Sequence, residues 1–164
     1  ILHIGVFGDL AFFYDMNSLG NRHVTNNIRI MLINNGRGTE FRNYGHICSI
    51  FGDEADRYIS AAGHFGNQSS ELVKHYAKDL GFKYLSASNK EEFTKIMNEF
   101  VSPVISDKPL LVEIFTKTVE ESEAIKILRN LRTSKQDEMK DRIVGAIKGA
   151  LGTKGKKIVK KFLR

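Results

Sequence analysis

The sequence predicts a single α/β domain built on an open, mainly parallel sheet. Three apolar runs have the length of strands: LHIGVF (residues 2–7), IRIMLI (28–33) and LLVEIF (110–115). Near-continuous hydrophobicity over a strand length is typical of parallel strands that are covered on both faces. Helical patterns lie between the runs, and this alternation predicts parallel strands joined by right-handed crossovers.

Helix boundaries in the middle of the chain are predicted by capping residues. Ser69 or Ser70 can cap a helix that Gly81 would end, and Asn89 can cap the next helix. These residue types either accept hydrogen bonds from the free N–H groups of a first turn or adopt the left-handed conformation that ends a helix. A further strand, FKYLSA (residues 82–87), is expected between the two helices.

Two features of the layout suggest more than a plain domain. Residues 36–68 form a connection that is too long for an ordinary loop, so we expect a partly helical segment over the binding edge or a mobile lid. The chain starts at Ile1 almost directly in a strand, without a cap, a linker or an initiator Met. We therefore expect a truncated fragment of a longer protein.

Length and composition limit the class of protein. A chain of 164 residues with 41% hydrophobic content can bury one ordinary core. Cys48 is the only cysteine, so a disulfide framework is not predicted. No apolar run approaches 18 residues, and the start lacks the charged region of a signal peptide. A reducing cytoplasm is the expected location.

The net charge of +6 is concentrated at the C-terminal end. Residues 135–164 contain ten Lys or Arg and three Asp or Glu, whereas the remaining residues contain fifteen basic and sixteen acidic ones. The placement of charge is more informative than its total. We therefore predict a neutral domain over residues 1–133 and a basic, amphipathic, helical tail over residues 134–164.

The tail has two interpretations. Apolar residues among its lysines are consistent with an amphipathic helix that binds an anionic membrane or nucleic acid. Alternatively, the tail packs on its own domain or on a partner subunit and leaves its lysines in water. The second interpretation is favoured, because four glycines weaken a free helix by about 1 kcal/mol each. These glycines are Gly145, Gly149, Gly152 and Gly155.

Polar residues follow the first two strands directly. Gly8 and Asp9 end the first strand just before a helix expected from Ala11, and INNGRGTEF (residues 33–41), with an Asn pair expected to be exposed, ends the second. In a parallel sheet both strand ends lie at the edge where such folds bind ligands. The second stretch is also compatible with an ordinary turn, since Asn and Gly are common turn residues.

A divalent cation would explain these residue types. Asp9 next to a helix N-terminus would repel a bare anion, but Mg²⁺ placed between the carboxylate and an anionic ligand would attract both. Mg²⁺ prefers hard oxygen ligands and commonly bridges one or two protein groups to phosphate oxygens. Asp9 would give a carboxylate oxygen to such an ion, and the Asn pair would give an amide oxygen.

The spacing of these residues resembles a known signature. Gly8-Asp9, followed 26 residues after Asp9 by Asn35, is similar to the GDG and NN motifs that bind diphosphate in thiamine-diphosphate enzymes. The resemblance implies that the side chains of Asp9 and Asn35 and the backbone carbonyl of Arg37 are the Mg²⁺ ligands. Leu10 replaces the last Gly of GDG. The stretch GDLAFFYDMNSL also resembles the menaquinone-pathway synthase that makes succinyl-enolpyruvyl-hydroxycyclohexene-carboxylate.

The resemblance covers roughly residues 2–131 and has several implications. The fold would be a three-layer sandwich around a mainly parallel sheet, and the cofactors would be thiamine diphosphate and Mg²⁺. The residues assigned to cofactor binding are Gly8, Asp9, Leu10, Asn35, Arg37, Gly38, Thr39 and Phe41. The glutamate that activates the cofactor would lie on a separate pyrimidine-binding domain, usually of a partner subunit. No catalytic residue is therefore expected here, and the isolated chain should be inactive.

The implied activity is decarboxylation of a 2-oxo acid followed by carboligation, with 2-oxoglutarate as donor and isochorismate as acceptor. The full-length protein would be a homodimer or homotetramer that uses a small-molecule substrate and binds no nucleic acid; membrane association is not expected. Glu40 stands where the synthase has an apolar residue near the reaction centre. A carboxylate there would disfavour an anionic acceptor. An acetolactate synthase-like enzyme or another 2-oxo acid decarboxylase is therefore the alternative within this class.

Overall fold

The computed structural model describes residues 1–39, 46–58, 68–132 and 142. The strands are β1 (His3–Gly8), β2 (Ile28–Asn34), β3 (Lys83–Ala87) and β4 (Leu110–Phe115). The α-helices are α1 (Asp9–Asp15), α2 (Leu72–Asp79), α3 (Lys90–Phe100) and α4 (Thr118–Arg132). Two 3₁₀-helical segments are Met16–Gly20 and Ile47–Arg57.

The four strands form one sheet in the order β1-β2-β4-β3, and every pairing is parallel. The predicted α/β fold with a parallel sheet is therefore confirmed. Gly8 at the end of β1 pairs with Ile33, and Asn34 at the end of β2 pairs with Phe115. The carboxyl ends of these three strands thus lie side by side, which brings the residues that follow them to one edge of the sheet.

Two of the predicted helix boundaries are confirmed by the local geometry, whereas the N-cap of α2 is Glu71 rather than Ser69 or Ser70. The Asn89 side chain accepts a hydrogen bond of 2.9 Å from the Glu92 N–H and caps α3. Gly81 follows α2 with φ of +81°, a left-handed conformation that suits glycine. The first helix differs from the prediction, because it begins at Asp9 rather than Ala11. This earlier start makes Asp9 part of the helix N-terminus.

Two apolar clusters pack on opposite faces of the sheet. One consists of Phe12, Ile30, Leu32, Val73, Ala77, Phe82 and Leu111. The other consists of Met31, Ala87, Phe100, Leu110, Val112 and Ile114. Adjacent residues of β2 and β4 alternate between the clusters, because successive strand side chains point to opposite faces. Burial of each large apolar side chain stabilises the fold by about 1.5–3 kcal/mol.

β1 departs from the prediction that the apolar strands are covered on both faces. Ile4 is 53% exposed and Val6 is 62% exposed, whereas Leu111 and Val112 of β4 are fully buried. The reason is the placement of the helices. α1 packs against β1 and β2 on one face of the sheet, whereas α3, on the other face, packs mainly against β3 and β4, at the opposite edge. An apolar run therefore predicted a strand here but not its coverage.

The long connection between β2 and α2 is partly helical, as predicted. Ile47–Arg57 is 3₁₀-helical with a kink at Gly52, where φ is +52°. Residues 40–45 and 59–67 of this connection lie outside the described part of the chain.

The chain divides into two compact units, Ile1–Glu121 and Ser122–Arg164. All four strands belong to the first unit. Only Arg142 of the predicted tail over residues 134–164 is described, so the tail and the boundary after residue 133 remain predictions. Among the described helices, none has the length and apolar character needed to cross a membrane.

A buried cation fixes the edge of the sheet opposite the carboxyl ends. Arg29, near the start of β2, is 3% exposed. Its guanidinium donates hydrogen bonds to four backbone carbonyls at the end of α3 and in the loop that follows. These carbonyls belong to Glu99, Phe100, Ser102 and Val104. The cation thereby satisfies the Phe100 carbonyl at the end of α3 and ties the following loop to β2.

Arg29→Met should lower the free energy of unfolding by about 3 kcal/mol or more, because one buried and three half-buried hydrogen bonds to carbonyls would be lost at once. Urea unfolding of the variant and the wild type measures the difference. Arg22→Met is the matched control, because Arg22 is exposed; it should change stability by less than about 0.5 kcal/mol. Equal effects of the two substitutions would contradict the structural role of Arg29.

Candidate functional site

Asp9 is the centre of a hydrogen-bonded cluster at the carboxyl edge of the sheet. The residue is 3% exposed, and its carboxylate accepts four backbone N–H groups. Oδ1 accepts from Leu10 at 2.7 Å. Oδ2 accepts from Asn35 at 3.0 Å, Gly36 at 2.7 Å and Arg37 at 3.2 Å. A single carboxylate therefore joins the first turn of α1 to the turn that follows β2.

Burial raises the pKa of the Asp9 carboxyl, and the four backbone hydrogen bonds oppose this rise without cancelling it. Within the described residues, no Lys, Arg or His side chain forms an ion pair with Asp9. A buried carboxylate that has only neutral partners is stabilised in its charged form by a nearby cation.

The turn after β2 is shaped by Gly36. This residue has φ of +76°, a left-handed conformation in which a side chain would be strained. The turn directs the N–H groups of three successive residues at one oxygen of Asp9. Glycine at this position is therefore required by the backbone geometry that Asp9 needs.

The two asparagines of the turn have matching hydrogen bonds. Asn34 donates through Nδ2 to Glu113 at 2.6 Å, and its Oδ1 accepts the Gly36 N–H at 3.0 Å. Asn35 donates through Nδ2 to Glu121 at 2.5 Å, and its Oδ1 accepts the Arg37 N–H at 2.9 Å. Each amide thus has its nitrogen on a glutamate and its oxygen on the turn.

The expectation of an exposed Asn pair is wrong. Asn34 is fully buried and Asn35 is half-buried. Asn34 is buried because its side chain points into the sheet towards Glu113 on β4, and its own carbonyl accepts from the Thr116 N–H at 3.0 Å. Asn34 therefore joins the turn to β4, whereas Asn35 lines the cleft described below.

A cleft of about 420 Å³ opens beside this cluster. Its lining includes seven of the eight residues that the resemblance assigned to cofactor binding, together with Ala11 and Tyr14. The seven are Gly8, Asp9, Leu10, Asn35, Arg37, Gly38 and Thr39. Phe41, the eighth, and Glu40, which bears on substrate choice, lie outside the described residues.

The polar atoms around the cleft fit a hard cation with an anionic ligand. Oδ1 of Asp9 accepts one hydrogen bond and retains lone pairs. The Arg37 N–H donates to both Asp9 Oδ2, at 3.2 Å, and Asn35 Oδ1, at 2.9 Å. These two oxygens therefore lie close to each other beside the cleft. Oγ1 of Thr39 is buried and has no hydrogen-bond partner among the described residues. A bound oxyanion would satisfy that hydroxyl.

The donor set is one carboxylate plus neutral oxygens. The described residues contain no group of three or more His, Cys, Asp or Glu side chains placed to hold a metal. The Arg37 carbonyl accepts from the Thr39 N–H at 2.9 Å and keeps a second lone pair. Mg²⁺ is commonly bound by few protein oxygens with ligand oxygens and water, so the set fits Mg²⁺ better than a metal that needs a complete protein cage.

Arg37 also contacts the long connection. Its Nη1 lies 3.8 Å from Oδ1 of Asp53 in the 3₁₀ segment, and both side chains are well exposed. An exposed ion pair at this distance contributes little to stability. The pair nevertheless shows that the segment Ile47–Arg57 reaches the residues that line the cleft.

Four residues that hold the turn were not identified from the sequence. Gln68 donates to the Asn34 carbonyl at 2.5 Å, and Glu121 accepts from Asn35. The Tyr84 hydroxyl donates to Glu113 at 2.6 Å. Only Glu113 had a visible signal, because a carboxylate inside an otherwise apolar strand must be buried with partners. The other three depend on contacts between residues far apart in sequence.

Glu113 is a fully buried acid inside the sheet. Burial raises the pKa of its carboxyl, although the hydrogen bonds from Tyr84 and Asn34 oppose this rise. Burial and the hydrogen bond to Glu113 likewise raise the pKa of the Tyr84 hydroxyl. The network supports the Asn34 amide without reaching the cleft.

Comparison with known proteins finds similarity to several synthases, although no family model matches the chain. The 2-succinyl-5-enolpyruvyl-6-hydroxy-3-cyclohexene-1-carboxylate synthase of Bacteroides thetaiotaomicron is 34% identical over 125 residues, 76% of this chain and 21% of the relative. The synthases of the same name from Phocaeicola vulgatus and Bacteroides fragilis strain YCH46 are 35% and 31% identical, over 70% and 76% of this chain and 19% and 21% of their own lengths. The chain spans about a fifth of these curated relatives.

Glu113→Gln should change how stability depends on pH. A carboxyl whose pKa is higher in the folded state contributes stability below its unfolded pKa and loses it as pH rises through the folded pKa. The unfolding free energy of the wild type minus that of the variant should therefore fall as pH rises from about 4 towards 8. Urea unfolding at several pH values measures it.

Glu113→Leu is the comparison for this experiment. It removes the acceptor of both the Asn34 amide and the Tyr84 hydroxyl, so it should lower stability by about 2 kcal/mol or more. A wild-type advantage over Glu113→Gln that stays constant or grows with pH would contradict the assignment of Glu113 as a buried acid.

Proposed function

We propose that this chain is the diphosphate- and Mg²⁺-binding domain of a thiamine-diphosphate-dependent 2-oxo acid decarboxylase and carboligase. The observation that carries the proposal is the set of hydrogen bonds that Asp9 accepts from the backbone N–H groups of the turn at residues 35–37. The turn begins 26 residues after Asp9 in the sequence, and an open cleft lies beside both. The similarity to synthases over most of the chain supports the same proposal.

In this proposal three oxygens of the chain would hold the ion. They would be Oδ1 of Asp9, the side-chain oxygen of Asn35 and the backbone carbonyl of Arg37. The N-terminus of α1 favours negative charge, and the cation removes the repulsion between Asp9 and the diphosphate. Gly8, Leu10, Gly38, Thr39 and Phe41 would complete the surface around the diphosphate. The fold would be a three-layer sandwich.

Thiamine diphosphate supplies the electron sink for decarboxylation when it is bound. The role proposed for this chain is to hold and orient the diphosphate end. The cleft would offer a cation site, and its lining includes Tyr14, Arg37 and Thr39, which can donate hydrogen bonds. Its described lining has no carboxylate other than Asp9, which is assigned to the cation. The activating glutamate would come from a pyrimidine-binding domain, in the same protein or in a partner subunit. A homodimer or homotetramer would meet that requirement.

The substrate class is a small 2-oxo acid. The relatives favour synthesis of 2-succinyl-5-enolpyruvyl-6-hydroxy-3-cyclohexene-1-carboxylate, and hence a role in menaquinone biosynthesis. An acetolactate synthase-like enzyme or another 2-oxo acid decarboxylase is the alternative, because Glu40 differs from the synthase pattern. A panel of 2-oxo acids distinguishes these substrates.

Binding of thiamine diphosphate to this chain should require a divalent cation. Asp9→Ala should weaken cation-dependent binding by about tenfold or more, because it removes the one charged protein ligand. Asn35→Ala should weaken it less, because the amide is neutral. Calorimetric titration with thiamine diphosphate, with and without Mg²⁺, measures these affinities. Asp79→Ala, an exposed carboxylate at the end of α2, is the control and should bind like the wild type.

Activity should require a pyrimidine-binding domain. The chain alone should release no carbon dioxide from any 2-oxo acid, because positioning and activation of the cofactor are both needed. A longer protein that joins this chain to that domain should be active and should lose activity with Asp9→Ala, with partial rescue at high Mg²⁺ and cofactor. Decarboxylation by the chain alone, or full activity of the Asp9 variant, would overturn the proposal.

A further inference from the structure

The orientation of the Asn35 amide is set by Glu121. The Asn35 Nδ2 donates to Oε2 of Glu121 at 2.5 Å, and its Oδ1 accepts the Arg37 N–H at 2.9 Å. Glu121 lies in the first turns of α4, and its other oxygen accepts the hydroxyl of Thr116, which directly follows β4. The carboxylate is therefore anchored before it reaches Asn35.

The two ends of an amide are chemically opposite. The oxygen accepts hydrogen bonds and can ligate a cation, whereas the NH₂ group only donates and repels a cation. Rotation of the Asn35 amide by half a turn would place its oxygen against the Glu121 carboxylate, acceptor against acceptor, and would turn its NH₂ towards the Arg37 N–H. Glu121 thus disfavours the orientation that could not hold a cation.

The same arrangement supports Asn34, whose Nδ2 donates to Glu113 and whose Oδ1 faces the turn. The difference is location. Asn34 is fully buried, whereas Asn35 lines the cleft. The orientation of the Asn35 amide therefore affects a ligand directly, and the orientation of the Asn34 amide affects only the turn.

We propose that Glu121 is a positioning residue that turns the Asn35 side-chain oxygen towards a divalent cation in the cleft. This inference rests on the proposed function. Glu121 need not touch the ion; its effect passes through the amide. Its removal should weaken cation binding, because the amide then has a second orientation that presents NH₂ to the ion.

The substitution Asn35→Asp separates orientation from charge. A carboxylate has an oxygen in either orientation and no NH₂ to donate, so it needs no orienting partner. Loss of the Glu121 charge weakens the attraction for a cation in either background, whereas loss of orientation matters only for the amide. Glu121→Ala should therefore bind a cation more weakly than Glu121→Gln in the wild-type background and equally well in the Asn35→Asp background. A residue that served only to support the fold would make Glu121→Ala the weaker binder in both backgrounds.

The experiment measures Mn²⁺ binding by electron paramagnetic resonance in the presence of thiamine diphosphate. Glu121→Ala should weaken binding by about tenfold, while Glu121→Gln should stay within about threefold of the wild type because its amide oxygen can still accept from Asn35. Asn35→Asp with Glu121→Ala should bind like Asn35→Asp with Glu121→Gln, because a carboxylate at position 35 needs no orienting partner. Thermal unfolding followed by circular dichroism verifies that each variant folds.

Glu120→Ala is the matched control, because Glu120 precedes Glu121 on the same helix, is exposed and pairs with Lys117 at 3.2 Å. It should bind Mn²⁺ like the wild type. If Glu121→Ala does not fold, Glu121→Met takes its place in both backgrounds, because it keeps the length of the side chain and offers only a weak acceptor.

The outcomes separate this inference from the proposed function. Mn²⁺ binding by the wild type, with the same difference between Glu121→Ala and Glu121→Gln in the wild-type and Asn35→Asp backgrounds, would overturn the positioning role alone. Failure of the wild type to bind Mn²⁺ with thiamine diphosphate would overturn the proposed function and this inference with it. A difference between Glu121→Ala and Glu121→Gln that disappears in the Asn35→Asp background would support both.

Discussion

The site depends on one buried carboxylate and the three backbone amides that point at it. Asp9 ends the first strand and starts the first helix, and its Oδ2 accepts the N–H groups of Asn35, Gly36 and Arg37. An anion with neutral donors alone is costly to bury. The arrangement is therefore stable only because the sheet brings two strand ends together and because Gly36 adopts a left-handed conformation.

Strand pairing and a second hydrogen-bond network hold that arrangement in place. Parallel pairing of β1 with β2 sets the distance between Asp9 and the turn. Beneath the turn, Glu113 and Tyr84 hold Asn34, and the Asn34 carbonyl accepts from Thr116 after β4. All four strands therefore contribute to the geometry of one turn. A buried polar network of this kind stabilises the fold only when every member has its hydrogen-bond partners.

Much of this could be predicted from the sequence, because strands and caps are local signals. The four strands and the cap at Asn89 follow from apolar runs and from side chains that act within a few residues. The edge position of β1 could not be predicted, since Ile4 and Val6 have the same character in a covered or an exposed strand. Nor could the burial of Asn34, which depends on a glutamate 79 residues away.

The hydrogen bonds of Asn35 have a consequence for how binding relates to folding. Residue 35 is joined to residue 9 across 26 positions and to residue 121 across 86 positions. These three residues are far apart in an unfolded chain, so a ligand that needs all of them binds the native state alone and shifts the folding equilibrium by mass action. Occupancy of the cleft would thus slow the proteolysis and hydrogen exchange of strands that lie well outside it.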